Sequence, residues 1–468
     1  MVFFVFIFGI FNRHIGGVMM GKEKGFIAIT RKYLKISPPQ LLVLIFAFFI
    51  VLGTCLLKLP FATEKSISWV DALFTTTSAM TVTGLTVVDT ASTYTLFGEI
   101  VIMCLIQVGG LGIMSFAVLI YLMLGRKIGF KERLVMQQAL NQTSLGGIIS
   151  LVRNLFLFSF AIEACAMLLL SLRWVPEYGW AKGLYYSLFH SVSAFNNAGF
   201  GLWEDNLIGF VGDPVINLVI SLLFITGGIG FTVLIDLKKT KRFRELSLHS
   251  KLMIVSTFVI NLVSMIIIFL LEYNNPNTLG PLSGWEKFWA TYFQAVSPRT
   301  AGFNTIDLSG LEDTTAFYMI FLMFIGAGSA STGGGIKLTT FIIIILAVIT
   351  FIRGKNDIVI FRKTISDSYI VKALAITIIS LLFIIIAIFT LSITENQPFI
   401  KIAFEVMSAF GTVGLTMGLT GDLTEIGKGI IIFIMFLGKL GPLTLVFSFA
   451  RRQQEQKIRY PREDILTG

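Results

Sequence analysis

The stretch TVTGLT, Thr81 to Thr86, is small, polar and bent by a glycine, although it lies in a strongly apolar chain. Similar stretches recur at near-equal intervals: NNAGFG at Asn196–Gly201, RTAGFN at Arg299–Asn304 and GTVGLT at Gly411–Thr416. Each follows an apolar segment that is too short to cross a bilayer, because a spanning helix needs about 20 residues. The pattern predicts four re-entrant segments, each made of a short helix and a bent loop.

The bulk composition places most of the chain in a membrane. Of its 468 residues, 55% are hydrophobic and 14% are charged, with a mean hydropathy of +0.83, whereas charged residues make up about a quarter of an ordinary soluble protein. The net charge of +10 does not indicate nucleic-acid binding, because the basic residues are spread between apolar runs. The three cysteines and three histidines form no CxxC or HExxH pattern, so no disulfide framework or transition-metal site is predicted.

Eight apolar runs are long enough to span a membrane, which predicts about eight transmembrane helices. They lie near residues 39–59, 97–124, 150–173, 213–236, 251–272, 315–351, 369–393 and 426–450. Basic clusters precede the first run and follow the second, fourth, sixth and last, so the positive-inside rule makes those segments and both termini cytoplasmic. The pair Met19–Met20 leaves open whether residues 1–18 are native or an upstream extension.

The four bent stretches occupy equivalent places in a fourfold internal repeat. Their central glycines are Gly84, Gly199, Gly302 and Gly414, and a phenylalanine stands nine or ten residues before each. Each repeat holds two spanning helices and one re-entrant segment, so all four have the same orientation and can surround one axis. The predicted segments are a cytoplasmic N-terminal segment 1–38, repeat 1 at 39–124, a linker and repeat 2 at 125–236, a linker and repeat 3 at 237–351, a linker and repeat 4 at 352–452, and a cytoplasmic tail 453–468.

Bent loops at membrane depth indicate a pathway, because lipid cannot satisfy their peptide groups. Four loops around one axis can present carbonyl oxygens that replace the hydration shell of a monovalent cation such as potassium. The short helix before each loop adds the partially negative end of its dipole. Acidic residues follow the glycines at Asp89, Glu204, Asp307 and Asp422, either as an acidic outer mouth or as ordinary solvated loop residues.

These four stretches, together with GAGSASTGGGIKLTT from Gly326, closely resemble the Ktr/Trk/HKT potassium-transporter superfamily, nearest to the bacterial Ktr membrane subunit. The resemblance covers about Tyr33 to Arg452. It implies an all-α polytopic membrane protein with four M1-P-M2 repeats around a pseudo-fourfold pore. It also implies a selectivity filter that binds potassium through its backbone, made of Val82, Thr83, Gly84, Leu85, Asn197, Ala198, Gly199, Phe200, Thr300, Ala301, Gly302, Phe303, Thr412, Val413, Gly414 and Leu415. Members with serine at the first filter glycine tend to pass sodium, so Gly84 favours potassium.

A run of ten small residues interrupts the sixth apolar run, and we expect it to break the helix because glycine costs about 1 kcal/mol in a helix interior. It comprises Gly326, Ala327, Gly328, Ser329, Ala330, Ser331, Thr332, Gly333, Gly334 and Gly335. The resemblance implies an intramembrane gating loop that includes Lys337, whereas small residues can also serve close helix packing.

Two charged residues lie inside apolar runs, where charge is costly. Lys439 is expected either to form an electrostatic barrier under the filter, as the resemblance implies for this position, or to snorkel to the inner surface. Glu163 is expected to pair with a neighbouring helix, with no partner identified. Gly109–Gly110, Gly227–Gly228 and Gly438 are expected to bend or pack their helices.

The first functional hypothesis is potassium uptake across the bacterial plasma membrane by an ion-conducting subunit. The resemblance implies a homodimer, set in membrane lipid, that is gated by a cytosolic KtrA/KtrC-type ring subunit carrying the nucleotide. No cofactor is expected in this chain, potassium is the transported ion, and sodium activation is left open. An alternating-access secondary cation transporter is the alternative, which the same-orientation repeats disfavour. An enzyme is not expected, because no catalytic set of polar residues is visible in the apolar runs.

Overall fold

The computed structural model describes residues 38–112, 115, 148–240, 242–355, 357–449 and 463. The predicted N-terminal segment up to residue 37, the basic linker before residue 148 and most of the C-terminal tail lie outside these residues. The described chain is almost entirely helical, and its two short strands form one antiparallel hairpin.

The helices fall into four groups of the same kind. Each group has a long first helix, a short pore helix and a second helix. The second helix is interrupted in the second, third and fourth groups, and in the first group it is described only as far as Leu111. The elements are α1 Pro38–Leu57, α2 Trp69–Thr81, α3 Thr90–Thr93, α4 Leu96–Leu111, α5 Ile148–Tyr178, α6 Trp180–Phe195, α7 Pro214–Ile229, α8 Phe231–Lys239, α9 Leu248–Glu272, α10 Gly284–Val296, α11 Asp313–Phe324, α12 Leu338–Ile352, β1 Ile358–Ile360, β2 Lys363–Ile365, α13 Asp367–Thr394, α14 Phe399–Gly411, α15 Glu425–Leu440 and α16 Pro442–Phe449.

The first helices α1, α5, α9 and α13 are the continuous spans among the described residues. They are long and apolar enough to cross a membrane, with mean hydropathies from 2.2 to 3.0. The pair α7 and α8 would count as a fifth span, although it is bent by 94°. The chain is therefore a multi-pass helical membrane protein. The remaining predicted crossings are built from shorter apolar helices rather than from continuous ones.

Interruptions in the second helices occur at defined glycines. Gly112, Gly230 and Gly441 follow α4, α7 and α15 with φ angles of +84°, +105° and +83°, a backbone conformation that glycine adopts without a Cβ penalty. The breaks thus lie a few residues beyond the glycine pairs expected from the sequence. In the third repeat, a longer irregular segment separates α11 from α12.

The glycines singled out in the sequence are packing positions. A Cβ at Gly109, Gly227 or Gly438 would overlap a backbone carbonyl oxygen at the end of a pore helix, namely that of Met80, Phe195 or Phe410. Each of these oxygens belongs to the residue four before a central glycine. The absence of a side chain therefore lets each second helix lie directly against its own pore helix, and of the two expected roles, packing applies to these three residues.

The core of the fold surrounds the pore helices. The aligned phenylalanines Phe74, Phe189, Phe293 and Phe404 are all fully buried. The first and last repeats also meet, because α2 packs against α15 and Lys428 Nζ lies 2.7 Å from Asp71 Oδ1. The four repeats thus close into a ring.

Candidate functional site

Every bent segment has positive φ angles at the same two positions. The residue two positions before each central glycine has a positive φ, although none of the four is a glycine: Val82 (+53°), Asn197 (+59°), Thr300 (+71°) and Thr412 (+49°). The central glycines also have positive φ, at +94° for Gly84, +70° for Gly199, +76° for Gly302 and +92° for Gly414. Non-glycine residues in this region cost about 1–3 kcal/mol and persist only where the surroundings hold them, typically at functional sites.

Serine side chains from the pore helices hold the segments in two ways. In the first and fourth repeats, Ser78 Oγ and Ser408 Oγ accept the N–H groups of Gly84 and Gly414, at 3.0 and 3.1 Å. In the second and third repeats, the hydroxyl groups of Ser193 and Ser297 instead donate to the carbonyl groups of Phe200 and Phe303. The two arrangements match the sequences, since the glycine is followed by leucine in the first pair and by phenylalanine in the second.

The central glycines touch each other in chain order. A Cβ on Gly84 would lie 3.1 Å from Gly199 Cα, one on Gly199 would lie 2.8 Å from Gly302 Cα, and one on Gly414 would lie 3.0 Å from Gly84 Cα. A Cβ on Gly302 would lie 3.4 Å from Gly414 Cα, which completes the circle. Carbonyl groups lie at every junction, because the residues just before the glycines (Thr83, Ala198, Ala301 and Val413) each place a carbonyl oxygen next to the glycine of an adjacent repeat. We call these four glycines the glycine ring.

A comparison with protein families identifies the family of the chain. A family model described as TrkH, cation transport protein, matches residues 9–460. The chain belongs to the TrkH family of cation transport proteins. A family of cation transporters is consistent with the expectation that the chain is not an enzyme.

Named relatives of this TrkH-family chain are similar over almost their whole length. It is 58% identical to "Ktr system potassium uptake protein B" of Bacillus subtilis, over 93% of this chain and 98% of the relative. It is 44% identical to the protein of the same name in Vibrio alginolyticus, over 92% and 95%, and 40% identical to "Potassium/sodium uptake protein NtpJ" of Enterococcus hirae, over 93% and 98%. The crystal structure of the potassium transporter TrkH from Vibrio parahaemolyticus has the same fold, with a TM-score of 0.69 at 20% identity over 90% of this chain and 86% of that one.

The run of small residues lies directly beside the bent segments of this TrkH-family protein. The helix ends at Phe324 and resumes at Leu338. The ends of the irregular segment are tied together, because Gly326 N donates to Ile336 O at 2.8 Å and Leu338 N donates to Ala327 O at 3.1 Å. We call residues 326–337 the small-residue loop.

The small-residue loop contacts, in three bent segments, the residue two positions before the central glycine. Thr332 Oγ1 donates to Asn197 Oδ1 at 2.7 Å, and Gly334 N donates to Thr412 Oγ1 at 2.9 Å. A Cβ on Gly333 would overlap the Thr300 hydroxyl group. The loop is also bonded to both neighbouring second helices, through Gly328 N to Gly228 O at 2.8 Å and Gly335 N to Gly438 O at 3.2 Å. It therefore spans from the second repeat to the fourth.

Two lysines donate to carbonyl groups of this loop. Lys439 Nζ lies 2.5 Å from Thr332 O, and Lys337 Nζ lies 2.7 Å from Gly333 O. Neither forms an ion pair with a carboxylate in the described part of the chain. Lys439 is thus directed towards the loop, which does not match the snorkelling alternative.

Glu163 has partners that the sequence did not reveal. Gln107 Nε2 donates to both of its oxygens, at 3.0 and 3.1 Å, and Asn196 Nδ2 donates to Gln107 Oε1 at 2.6 Å. Asn196 is the first residue of the second bent segment. The network therefore links α4, α5 and that segment, and a spacing argument could not have found Gln107 because it comes from another repeat.

Arg299 is a buried residue that the sequence reasoning missed. Its guanidinium group donates to Asn261 Oδ1 at 3.1 Å on α9, while its Nε has no partner among the described atoms. It immediately precedes Thr300 and so anchors the third bent segment to a first helix. Its place in RTAGFN was visible, but its burial was not.

Some of the acidic residues that follow the central glycines accept hydrogen bonds from nearby backbone groups. Asp89 caps α3 by accepting from Ser92 N at 2.6 Å, and Asp307 accepts from Ser309 N at 2.9 Å. Glu204, Asp307 and Asp422 are exposed. Capping and solvation account for these side chains, so an acidic mouth stays a prediction.

The arrangement as a whole suits a cation. The pore helices α2, α6, α10 and α14 end at the bent segments, so their partially negative C-terminal ends converge there. The glycine ring adds backbone carbonyl oxygens, which are hard ligands of the kind that coordinates an alkali cation.

Proposed function

We propose that this chain is the ion-conducting subunit of a potassium-uptake system, with its selectivity filter at the glycine ring. The observation that carries the proposal is the ring itself. Four glycines from four repeats meet in order, each beside a backbone carbonyl group, at the C-terminal ends of four pore helices. The filter residues are Val82 to Leu85, Asn197 to Phe200, Thr300 to Phe303 and Thr412 to Leu415. The names of the Bacillus and Vibrio relatives support potassium as the ion.

The proposed gate comprises Gly326 to Gly335 and Lys337, which belong to the small-residue loop, together with Lys439. It lies against three filter segments, and its backbone is bonded to the second helices on both sides. The ammonium groups of Lys337 and Lys439 place positive charge beside it, which opposes cation passage while the loop is in this position. Movement of the loop would remove both the steric and the electrostatic barrier.

The assembly is proposed from the relatives' names and from the fold. "Ktr system" in two of them supports a multi-component uptake system. From the resemblance to the Ktr/Trk/HKT superfamily we propose a homodimer in the bacterial cell membrane, gated by a cytosolic nucleotide-binding ring of the KtrA/KtrC type. The nucleotide would be bound by the ring and not by this chain. Both termini are proposed to be cytoplasmic.

Sodium transport is the second candidate, and the observation that favours it is the name of the Enterococcus relative, which includes both ions. Gly84 supports potassium, because the resemblance to the Ktr/Trk/HKT superfamily implies that members with serine at this position tend to pass sodium. The alternating-access mechanism has the interrupted α11–α12 region in its favour, since broken helices are common in such transporters. The same-sense packing of four repeats around one ring argues against it.

The test is growth of a potassium-uptake-deficient bacterium at limiting potassium while it expresses this chain with a cognate ring subunit. Rubidium and sodium tracer uptake are measured in the same cells. Rescue with rubidium preferred over sodium supports the potassium filter. Sodium-only uptake, or no rescue by protein that is present in the membrane, refutes the proposal.

A further inference from the structure

Each pore helix carries one buried polar side chain directly after its aligned phenylalanine. These residues are Thr75, His190, Gln294 and Glu405, and each is at most 1% exposed. Because they occupy the same position in each repeat, their hydrogen bonds can be compared directly. The four side chains differ in the groups to which they bond.

The first two repeats use neutral groups. Thr75 Oγ1 accepts from the hydroxyl group of Tyr94 at 3.0 Å. His190 Nε2 accepts from Leu202 N at 3.3 Å, and its Nδ1 lies 2.8 Å from Tyr186 O. A ring nitrogen that faces a carbonyl must donate, so His190 is the neutral tautomer with hydrogen on Nδ1.

In the third repeat, the equivalent side chain makes no hydrogen bond to the described residues. Neither amide atom of Gln294 has a hydrogen-bond partner in the part of the chain that the structure describes. The side chains that hold the third bent segment are instead Ser297, which donates to Phe303 O, and Arg299, which donates to Asn261 on α9.

The fourth repeat uses a carboxylate. Glu405 Oε2 accepts from Thr416 Oγ1 at 2.7 Å, and Oε1 accepts from Thr420 Oγ1 at 2.5 Å. Thr416 lies two residues beyond Gly414, and its hydroxyl oxygen also accepts from Gly418 N at 3.1 Å. One fully buried side chain thus fixes two points on the segment that leaves the glycine ring. The carboxylate has no ion-pair partner among the described residues.

We propose that Glu405 is a positioning residue that sets ion selectivity in the fourth quarter of the filter. Its two oxygens hold Thr416 and Thr420, and through them the chain on the outer side of Gly414. A filter discriminates between potassium and sodium only while its carbonyl groups resist closing around the smaller ion, and this carboxylate clamp supplies that resistance. The inference rests on the potassium-filter function proposed above.

The test uses two ways of breaking the clamp. Glu405→Gln keeps the size of the side chain but leaves one acceptor oxygen in place of two. Thr416→Val removes one hydroxyl donor and keeps the branched shape. The matched control is Glu395→Gln, because Glu395 is a buried glutamate of the same repeat that accepts from Thr424 Oγ1 at 2.6 Å, at the start of α15. Rubidium and sodium tracer uptake are compared at equal amounts of membrane protein.

Glu405→Gln and Thr416→Val are each expected to lower the rubidium-to-sodium ratio by on the order of tenfold, the scale of one lost hydrogen bond to a charged group. The rubidium-to-sodium ratio of the double variant should fall no further than that of the more damaging single change, because both changes act on the same clamp between Glu405 and Thr416. Glu395→Gln should reduce thermal stability and leave the ratio unchanged. An unchanged ratio in Thr416→Val, or an equal loss in Glu395→Gln, overturns the inference. A wild-type chain that does not prefer rubidium refutes the proposed function together with this inference.

Discussion

Replacing Gly84 with serine tests the glycine ring directly. Gly84 has a φ of +94°, and a Cβ there would overlap Ala198 O and lie 3.1 Å from Gly199 Cα. A side chain at positive φ costs about 1–2 kcal/mol, and overpacking against fixed atoms adds typically about 1–3 kcal/mol. The atoms in the way are backbone, which cannot rotate aside as a side chain can. The ring must therefore give way at the junction between the first and second repeats.

The expected result is a loss of discrimination more than a loss of transport. If about 1.4 kcal/mol of that strain is relieved by displacing the Ala198 carbonyl group, the preference for potassium over sodium falls about tenfold. The assay is the initial rate of rubidium and of sodium tracer uptake in the same potassium-uptake-deficient cells, normalised to membrane-inserted protein. The ratio of the two rates is the measured quantity.

Gly179 offers a matched control. Its φ is +82°, close to that of Gly84, but a Cβ there would meet nothing within 4 Å. Gly179→Ser therefore carries the dihedral strain without the overlap, at a position between α5 and α6, and we expect it to leave the ratio unchanged. The reasoning fails if Gly84→Ser keeps the wild-type ratio, or if Gly179→Ser loses it to the same extent.

Three further predictions concern the gate, the helix packing and the closure of the ring. Removing four residues from Gly326–Gly335 should raise rubidium flux without changing the rubidium-to-sodium ratio, because the loop contacts the proposed filter residues but supplies none of the ring glycines. A changed ratio without extra flux would contradict the proposal that the loop is a gate. Gly438→Ala should lower the free energy of unfolding in detergent by about 1–3 kcal/mol, because its Cβ would overlap Phe410 O. In the same helix, a Cβ at Gly429 would meet nothing within 4 Å, so Gly429→Ala should be neutral or slightly stabilising. Similar losses in both variants would show that packing is not the cause. The pKa of Asp71 is held below its usual range although partial burial acts to raise it, because Lys428 bonds to the carboxylate and adds its positive charge. A lowered folded-state pKa stabilises the fold above the unfolded value of 3.8, and this stability is lost as the pH falls through the folded value. The wild type should thus lose more stability than Asp71→Asn between pH 5 and pH 3, and parallel losses would refute the contribution.

The central features of this fold are visible in the sequence because they are periodic. Four glycines with a phenylalanine before each define the repeat, and the structure brings those glycines into contact. Where another part of the backbone packs closely against a position, only glycine fits, and that glycine is visible in the sequence. The same holds for Gly109, Gly227 and Gly438, whose packing role follows from their lack of a side chain.

The sequence did not predict the contacts between different repeats. The partner of Glu163 is Gln107, from a different repeat, and the target of Lys439 is a backbone carbonyl group of Thr332, which has no side-chain signature. The helix breaks at Gly112, Gly230 and Gly441 were missed because an apolar run reads as continuous when only its hydropathy is considered. Glu405 was missed for another reason: a single carboxylate in a short amphipathic segment looks solvated until the segment is known to be enclosed.

The contact of Gly84 with Gly414 also governs how the protein can be made. The first glycine of the ring waits for a neighbour that is encoded more than three hundred residues later, and Lys428 reaches Asp71 across a similar sequence distance. A nascent chain that has inserted three repeats still exposes one open flank of the first repeat and one of the third. Closure of the glycine ring therefore requires the fourth repeat, and we expect a chain that stops after three repeats to leave the ring open between the first and third repeats.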